Sequence, residues 1–183
     1  MNTHDVTLIN QAILFATAAH AEVGQIRKYT KEPYIVHPLE VMEIITRYAT
    51  FPVTEEMLAA SVLHDVVEDT QVSLATISLE FGSAVAEIVS DLTDVSQPSD
   101  GNRRARKALD LLHTKQASPV AKSVKCADIV SNITSIVEHD PGFARKWVRE
   151  AEDKLAVCGD ADLGLLTLAY QKLADAKNKL GIV

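Results

Sequence analysis

Met57-Leu58-Ala59-Ala60-Ser61-Val62-Leu63-His64-Asp65-Val66-Val67-Glu68-Asp69-Thr70 is the stretch from which the rest of the chain can be read. An apolar run without glycine or proline leads straight into His64, Asp65, Glu68 and Asp69, each able to bind a metal or move a proton. On a helix, adjacent His64 and Asp65 stand about 100° apart. Glu68 follows His64, and Asp69 follows Asp65, at the i+4 spacing that stacks side chains along one side. Three carboxylates this close repel one another, and acids at a helix C-terminus oppose the macrodipole. A solvated acidic helix end is the simpler reading, but it does not explain acids that continue an unbroken apolar face. A bound cation would remove the conflict. The stretch therefore predicts a buried helix whose end carries metal or proton-transfer chemistry.

Residues 7–22 place Leu8, Ile9, Ala12, Ile13, Phe15, Ala16 and Ala19 at helical spacing, with His20 read as a hydrogen-bonded core histidine. A polar loop carrying Arg27, Lys28 and Lys31 ends at His37-Pro38. Proline suits the first position of a helix, where its missing N–H has no partner anyway. That predicts His37 on a rigid corner just outside a helix reaching about Tyr48. Thr54 is a good N-cap for the decisive helix, with Glu55 and Glu56 in its first turn.

Beyond it, Ser73 caps a short helix stopped by Gly82, and residues 83–93 form another with Ala84, Val85, Ile88, Val89 and Leu92 inward. Residues 95–101 read as a loop. Asn102 to Lys107 then starts a helix with a basic cluster, serving either surface solubility or recruitment of a polyanion. Ser118-Pro119 starts a long helix through Val137, on which Val124, Asp128, Asn132 and Ile136 share one face. An unpaired buried carboxylate costs several kcal/mol, so Asp128 calls for a cation, either Lys125 or a metal. Asp140-Pro141 starts a further helix, and Asp160 is the expected cap of a last one over residues 163–180. No strand, repeat or linker is evident. The expectation is an all-α single domain, a bundle of about eight or nine helices.

Composition narrows the function. The chain has 183 residues, 47% hydrophobic and 23% charged, with only 7 Gly and 6 Pro, an ordinary helix-rich globular make-up. A net charge of −7 argues against a nucleic-acid partner. Cys126 and Cys158 lack zinc-site spacing and read as buried free thiols. The N-terminus has no basic region leading into an apolar run, and no window approaches a membrane span, so a cytoplasmic protein with no membrane partner is expected.

Four polar residues stand where apolar ones belong: His37, His64, Asp65 and Asp128. Two imidazoles and two carboxylates suit a first-row divalent ion such as Mn²⁺, Fe²⁺ or Zn²⁺. The order His…His-Asp…Asp resembles the HD metal-dependent phosphohydrolases. Several segments carry a narrower resemblance: Tyr34 to Pro38, Leu63 to Thr70, Phe81-Gly82, and Lys125-Cys126-Ala127-Asp128-Ile129-Val130-Ser131-Asn132. Together they resemble the hydrolase domain of the Rel/SpoT alarmone enzymes, above all the stand-alone small alarmone hydrolases. The likeness spans roughly residues 8–175, within a single HD-type hydrolase domain over residues 1–183 and no synthetase or regulatory domain.

The resemblance implies His37, His64, Asp65 and Asp128 as ligands of manganese (Mn²⁺), with Glu68 and Asp69 positioning or deprotonating the attacking water. It implies Arg27, Lys28, Lys125 and Asn132 in the nucleotide cleft, and Arg106 and Lys107 facing substrate phosphates. Two departures, Ile129-Val130 after Asp128 and the loop before Pro33, lie near the expected base and phosphate pocket. The implied reaction is hydrolysis of the 3′-pyrophosphate of (p)ppGpp, with (p)ppApp within the same chemistry. A metal-dependent phosphatase of another nucleotide such as NADPH, and a catalytically silent nucleotide-binding module, are the alternatives. The sequence leaves a homo-oligomer open.

Overall fold

A computed structural model describes residues 7–182; the N-terminal segment read above for a leader lies outside them, as do both ends of the expected domain. Among the described residues the chain forms α1 (Leu8–Glu22), α2 (Val36–Tyr48), α3 (Glu55–Leu63), α4 (Val66–Asp69), α5 (Leu74–Phe81), α6 (Ser83–Leu92), α7 (Arg103–Gln116), α8 (Pro119–His139), α9 (Pro141–Ala156) and α10 (Leu163–Leu180). A 3-10 turn at Pro98–Asp100 precedes α7. There is no strand among these residues, only an isolated bridge between Ile26 and Pro33 that closes the loop carrying Arg27. The fold is all-α, and no described helix is long and apolar enough to cross a membrane.

Nine of these helices are those expected. The tenth, α4, exists because the decisive helix does not run through its motif. His64 turns its ring back so that Nδ1 lies 2.8 Å from the Ser61 carbonyl, an acceptor that a continuous helix would use for the Asp65 N–H. Asp65, at φ −98° and ψ −6°, then starts a single new turn, with the Asp69 N–H bonded to its carbonyl at 2.9 Å. The expected stacking of His64 on Glu68 is lost. His64 is buried, while Glu68 and Asp69 lie outward of it.

The expected caps hold at Thr54, Ser73 and Ser118, and Asn102 and Asp140 cap their helices likewise; each side chain accepts from the N–H three residues on. Helix α2 begins earlier than expected. The Val36 and His37 N–H groups bond to the Pro33 and Tyr34 carbonyls at 3.1 and 3.0 Å, so His37 lies inside the first turn. Pro38, without an N–H, is tolerated there. On α6 the inward alanine is Ala86, not Ala84.

Helix α10 is capped by Asp162 instead of Asp160, which pairs with Lys122 at 2.8 Å. Buried Asp162 accepts from the Leu165 N–H through Oδ1, and from the Thr50 N–H, the Thr50 hydroxyl and the Phe51 N–H through Oδ2. Its own N–H donates to Ser123 Oγ at 2.8 Å. One side chain thus ties the start of α10 to the end of α2, and its backbone ties it to α8. The backbone approaches itself closely here: a Cβ on Gly164 would collide with the Tyr48 carbonyl oxygen.

Two apolar clusters make the core. One gathers α8, α9 and α10 with Val41 and Ile45 of α2 and Met57 of α3, and it contains both free, buried cysteines. The other joins α1, α5 and α6 to Ala59, Ala60, Val62 and Leu63 of α3. Helix α3 is therefore apolar nearly all round, as a buried helix must be. Its C-terminal end and the start of α2 lie where the two clusters meet.

Candidate active site

Three separate stretches deliver the polar groups to that junction: His37 from the first turn of α2, His64 and Asp65 from the break between α3 and α4, and Asp128 from the middle of α8. His64 Nε2 lies 3.0 Å from Asp65 Oδ2 and 3.8 Å from Asp128 Oδ1. His37 Nε2 lies 3.1 Å from Asp128 Oδ1 and 3.6 Å from Asp65 Oδ2. With donor bonds near 2.1 Å, an octahedral ion places neighbouring donors about 3.0 Å apart and opposed donors about 4.2 Å apart. These four His–Asp distances fall in that range, and His37, His64 and Asp65 bring their donor atoms within 4.8 Å of one another, a set that does not take in Asp128.

The ring tautomers fit as well. His64 Nδ1–H donates to the Ser61 carbonyl, which leaves Nε2 a lone pair, and that atom is buried without a hydrogen-bond partner. His37 Nδ1 lies 2.9 Å from Ser131 Oγ, whose hydroxyl donates to Glu40 at 2.8 Å, so Ser131 accepts from His37 and frees its Nε2. This is the outer support that metal-binding histidines need. Tyr34 donates its hydroxyl to Asp65 Oδ2 at 2.6 Å. Asn132 Nδ2 donates to Asp128 Oδ1 at 2.7 Å, and its own Oδ1 accepts from Arg27 at 3.2 Å. The residues present therefore suit a divalent cation.

Glu68 and Asp69 leave the cluster on α4 in different directions. Glu68 accepts from the Asp94 N–H at 3.3 Å and lines a cavity of about 500 Å³ with Arg103, Arg106 and Lys107. Asp69 accepts from Gln25 at 2.8 Å, and Gln25 in turn bonds to His20 at 2.7 Å, so His20 is the hydrogen-bonded core residue expected. Burial raises Glu68, and the charges of Asp94 and Asp65 raise it further. Burial also raises Asp69, which its bond from Gln25 partly offsets.

The expected substrate residues divide. Arg106 has a buried Nε without a partner and faces the 500 Å³ cavity beside Lys107. Lys107, however, already bonds to Asp94 at 2.7 Å and Asp110 at 3.2 Å. Arg27 and Asn132 line a second cavity of about 400 Å³ with Tyr34 and Phe143. Lys28 lies at the rim of that cavity, mostly exposed and bonded to Asp140 at 3.2 Å, away from the carboxylate–imidazole cluster. Lys125 lies 3.7 Å from Asp128. Sequence reading missed Ser131, Glu40 and Gln25, which are unremarkable polar residues until the fold sets them behind the site. Their only signal is spacing: Glu40 and Ser131 each follow a cluster residue by three positions.

Residues 12–153 match the HD domain family. The chain belongs to that family. Among the HD protein's relatives is the guanosine-3′,5′-bis(diphosphate) 3′-pyrophosphohydrolase MESH1 of Xenopus tropicalis, 36% identical over 147 residues that span 80% of this chain and 79% of the relative. A probable guanosine-3′,5′-bis(diphosphate) 3′-pyrophosphohydrolase of Synechocystis is 32% identical over 154 residues, 81% of this chain and 19% of that longer one. The solved structure of a metazoan ortholog of SpoT that hydrolyzes ppGpp superposes over 100% of both chains with a TM-score of 0.81 at 24% identity, which shows a shared fold. The expected kinship with the stand-alone small alarmone hydrolases thus holds for this HD protein.

Its site sets up a pH dependence. With no cation bound, burial opposes a charged His64, but Asp65 and Asp128 outweigh burial and raise the imidazole to about 9. Burial would raise Asp65 and Asp128, yet His64, His37 and Lys125 hold them well below the usual carboxylate range. A histidine raised above its unfolded value stabilises the protein fully below about 6.5 and loses that contribution as the pH rises through about 9. A metal must displace the same proton, so its apparent affinity should strengthen by up to about tenfold per pH unit as the pH approaches that value. The metal-free protein should also melt at lower temperature over this window, and the metal-loaded protein should not. Metal titrations and thermal melts across it check both, and an affinity independent of pH would remove His64 from the ligand set.

Proposed function

We propose that this HD protein hydrolyses the 3′-pyrophosphate of guanosine-3′,5′-bis(diphosphate) in the cytoplasm, releasing GDP and pyrophosphate, with manganese at His37, His64, Asp65 and Asp128. The observation that carries this reading is the pair of imidazole Nε2 atoms, each turned inward by an outer hydrogen bond at Nδ1, converging on two carboxylates. The relatives' names support the substrate, and they support neither the nucleotide phosphatase nor the silent module.

A divalent cation in this set would lower the pKa of a water molecule and polarise a phosphate oxygen. The chain's own groups do the rest. Glu68, raised toward the working pH, takes a proton from the attacking water, and Asp69 holds the loop carrying Gln25 in register or shares that task. Water adds at the phosphorus attached to the ribose O3′, the O3′–P bond breaks, and the ribose oxygen leaves with a proton. Arg106 and Lys107 offset charge on the departing pyrophosphate. Asn132 and Arg27, bonded to each other, align the nucleoside side of the cleft.

Incubation with ppGpp, ppApp and NADPH under Mn²⁺, with products resolved by ion-exchange chromatography, tests the proposal. GDP and pyrophosphate from ppGpp are expected, and their absence would overturn it. Arg27 supplies a finer check. A charge-assisted contact to phosphate contributes about 1.5–3 kcal/mol, so Arg27→Ala should lower kcat/KM at least about tenfold with metal content unchanged. A solvated surface arginine would instead give wild-type kinetics, altered only by salt.

A further inference from the structure

A third chamber, of about 130 Å³, lies between α7, α8 and α9, and Asp128, Lys125, Lys107, Lys154 and Trp147 line it. It is well below the roughly 300–1,000 Å³ of a pocket for a whole small-molecule ligand, but it has room for a single phosphate group. Asp128 is a wall of both this chamber and the metal set, which puts the chamber next to the phosphorus under attack.

Two ammonium groups line it without a hydrogen bond. Lys125 is 8% exposed and its Nζ stands 3.7 Å from Asp128 Oδ2. The Lys154 side chain is 18% exposed and its Nζ stands 3.7 Å from Asp94 Oδ1. Both separations are too long for a hydrogen bond, and neither lysine makes another among the described residues. The nearby carboxylates are committed elsewhere. Asp94 accepts from Lys107 at 2.7 Å, and Glu150 holds Arg103 through two bonds of 2.9 and 2.7 Å. Once Asp128 serves as a metal ligand, Lys125 loses its share of that charge. Burial, with Lys125 and Lys107 nearby, pulls Lys154 below the ordinary lysine range despite Asp94. A buried cation so placed is expensive to keep unless an anion joins it.

We infer that Lys154, together with Lys125, holds the distal phosphate of the substrate's 3′-pyrophosphate, and that the chamber holds one phosphate of inorganic pyrophosphate as the released product. The place of this contact in turnover rests on the proposed hydrolysis, whereas the binding of pyrophosphate rests on the chamber alone. Lys154 makes no contact with the nucleoside in this assignment. Its loss should therefore weaken pyrophosphate and the 3′-pyrophosphorylated substrate together.

The test uses metal-loaded full-length protein and inorganic pyrophosphate as the probe. Trp147 is the chain's 1 tryptophan and a wall of the chamber, so pyrophosphate should change its emission in the unmodified protein. By calorimetry, Lys154→Met should weaken pyrophosphate binding at least tenfold at unchanged metal content, and should raise the pyrophosphate inhibition constant in parallel. Lys154→Arg, which keeps the charge, should retain most of the affinity. If the unmodified protein shows neither a change in emission nor heat on adding pyrophosphate, the assignment fails, whatever the variants do. Wild-type affinity in a folded Lys154→Met protein overturns it equally. Should ppGpp not be hydrolysed while Lys154→Met still loses pyrophosphate, the proposed reaction falls and the chamber assignment stands.

Discussion

Asp128→Ala is expected to leave a helical, folded protein that holds no stoichiometric metal and has no measurable turnover. Asp128 Oδ1 stands 3.1 Å from His37 Nε2 and 3.8 Å from His64 Nε2, so it links donors from two other helices. Its removal also leaves Lys125, 8% exposed, without its nearest counter-charge. The packing of α8 rests on other residues, among them Val124, Ile129, Ile133 and Ile136, so the fold should survive. Elemental analysis and circular dichroism of the purified variant decide the matter. Full metal occupancy at wild-type affinity would show that Asp128 is no ligand, and unfolding would show that the charge serves the core.

The acidic pair on α4 should behave in the opposite way. Glu68→Gln keeps shape, removes charge and touches no member of the metal set, so metal should stay while kcat falls by roughly 10²–10⁴, the usual range for lost acid–base assistance. The pH profile adds a signature. A base works when deprotonated, and burial with Asp94 and Asp65 raises Glu68 above the ordinary glutamate range. Activity should therefore be lost as pH falls through that raised value, at higher pH than an exposed glutamate would give, and the glutamine variant should lack this limb. Asp69→Asn should cost less, because Asp69 is held by Gln25 and does not line the cavity with Glu68. Loss of metal with either change would recast that residue as a ligand, and an unchanged kcat would remove it from the reaction.

The helices and the four candidate metal donors were legible because each announced itself locally. Caps such as Thr54 and Ser118 need only the next few residues, and Asp128 is conspicuous on a face otherwise apolar. The break at His64–Asp65 was not legible, since helix propensity and spacing both favour continuation. It depends on an imidazole reaching a carbonyl three residues back. Lys28 and Arg27 look equivalent in sequence, and only the fold turns one toward Asn132 and the other toward Asp140. Lys154 was hidden for a similar reason. It sits among Arg149, Glu150, Glu152 and Asp153 on an amphipathic helix, where one more charge reads as surface.

The Asp162 junction changes where the working unit ends. Every residue given a role in metal, water or phosphate handling lies between Arg27 and Lys154, and the family match itself stops at 153. Yet the loop joining α2 to α3 hangs from a carboxylate at position 162, and α8 is clasped from the same point through Ser123. Leu165, Ala169, Leu173 and Leu180 fill the core beyond it. Helix α10 therefore acts as a keystone: it contributes no reactive group, yet it fixes the spacing between the two helices that carry His37 and Asp128. A boundary drawn by counting catalytic positions would cut the arch at its crown.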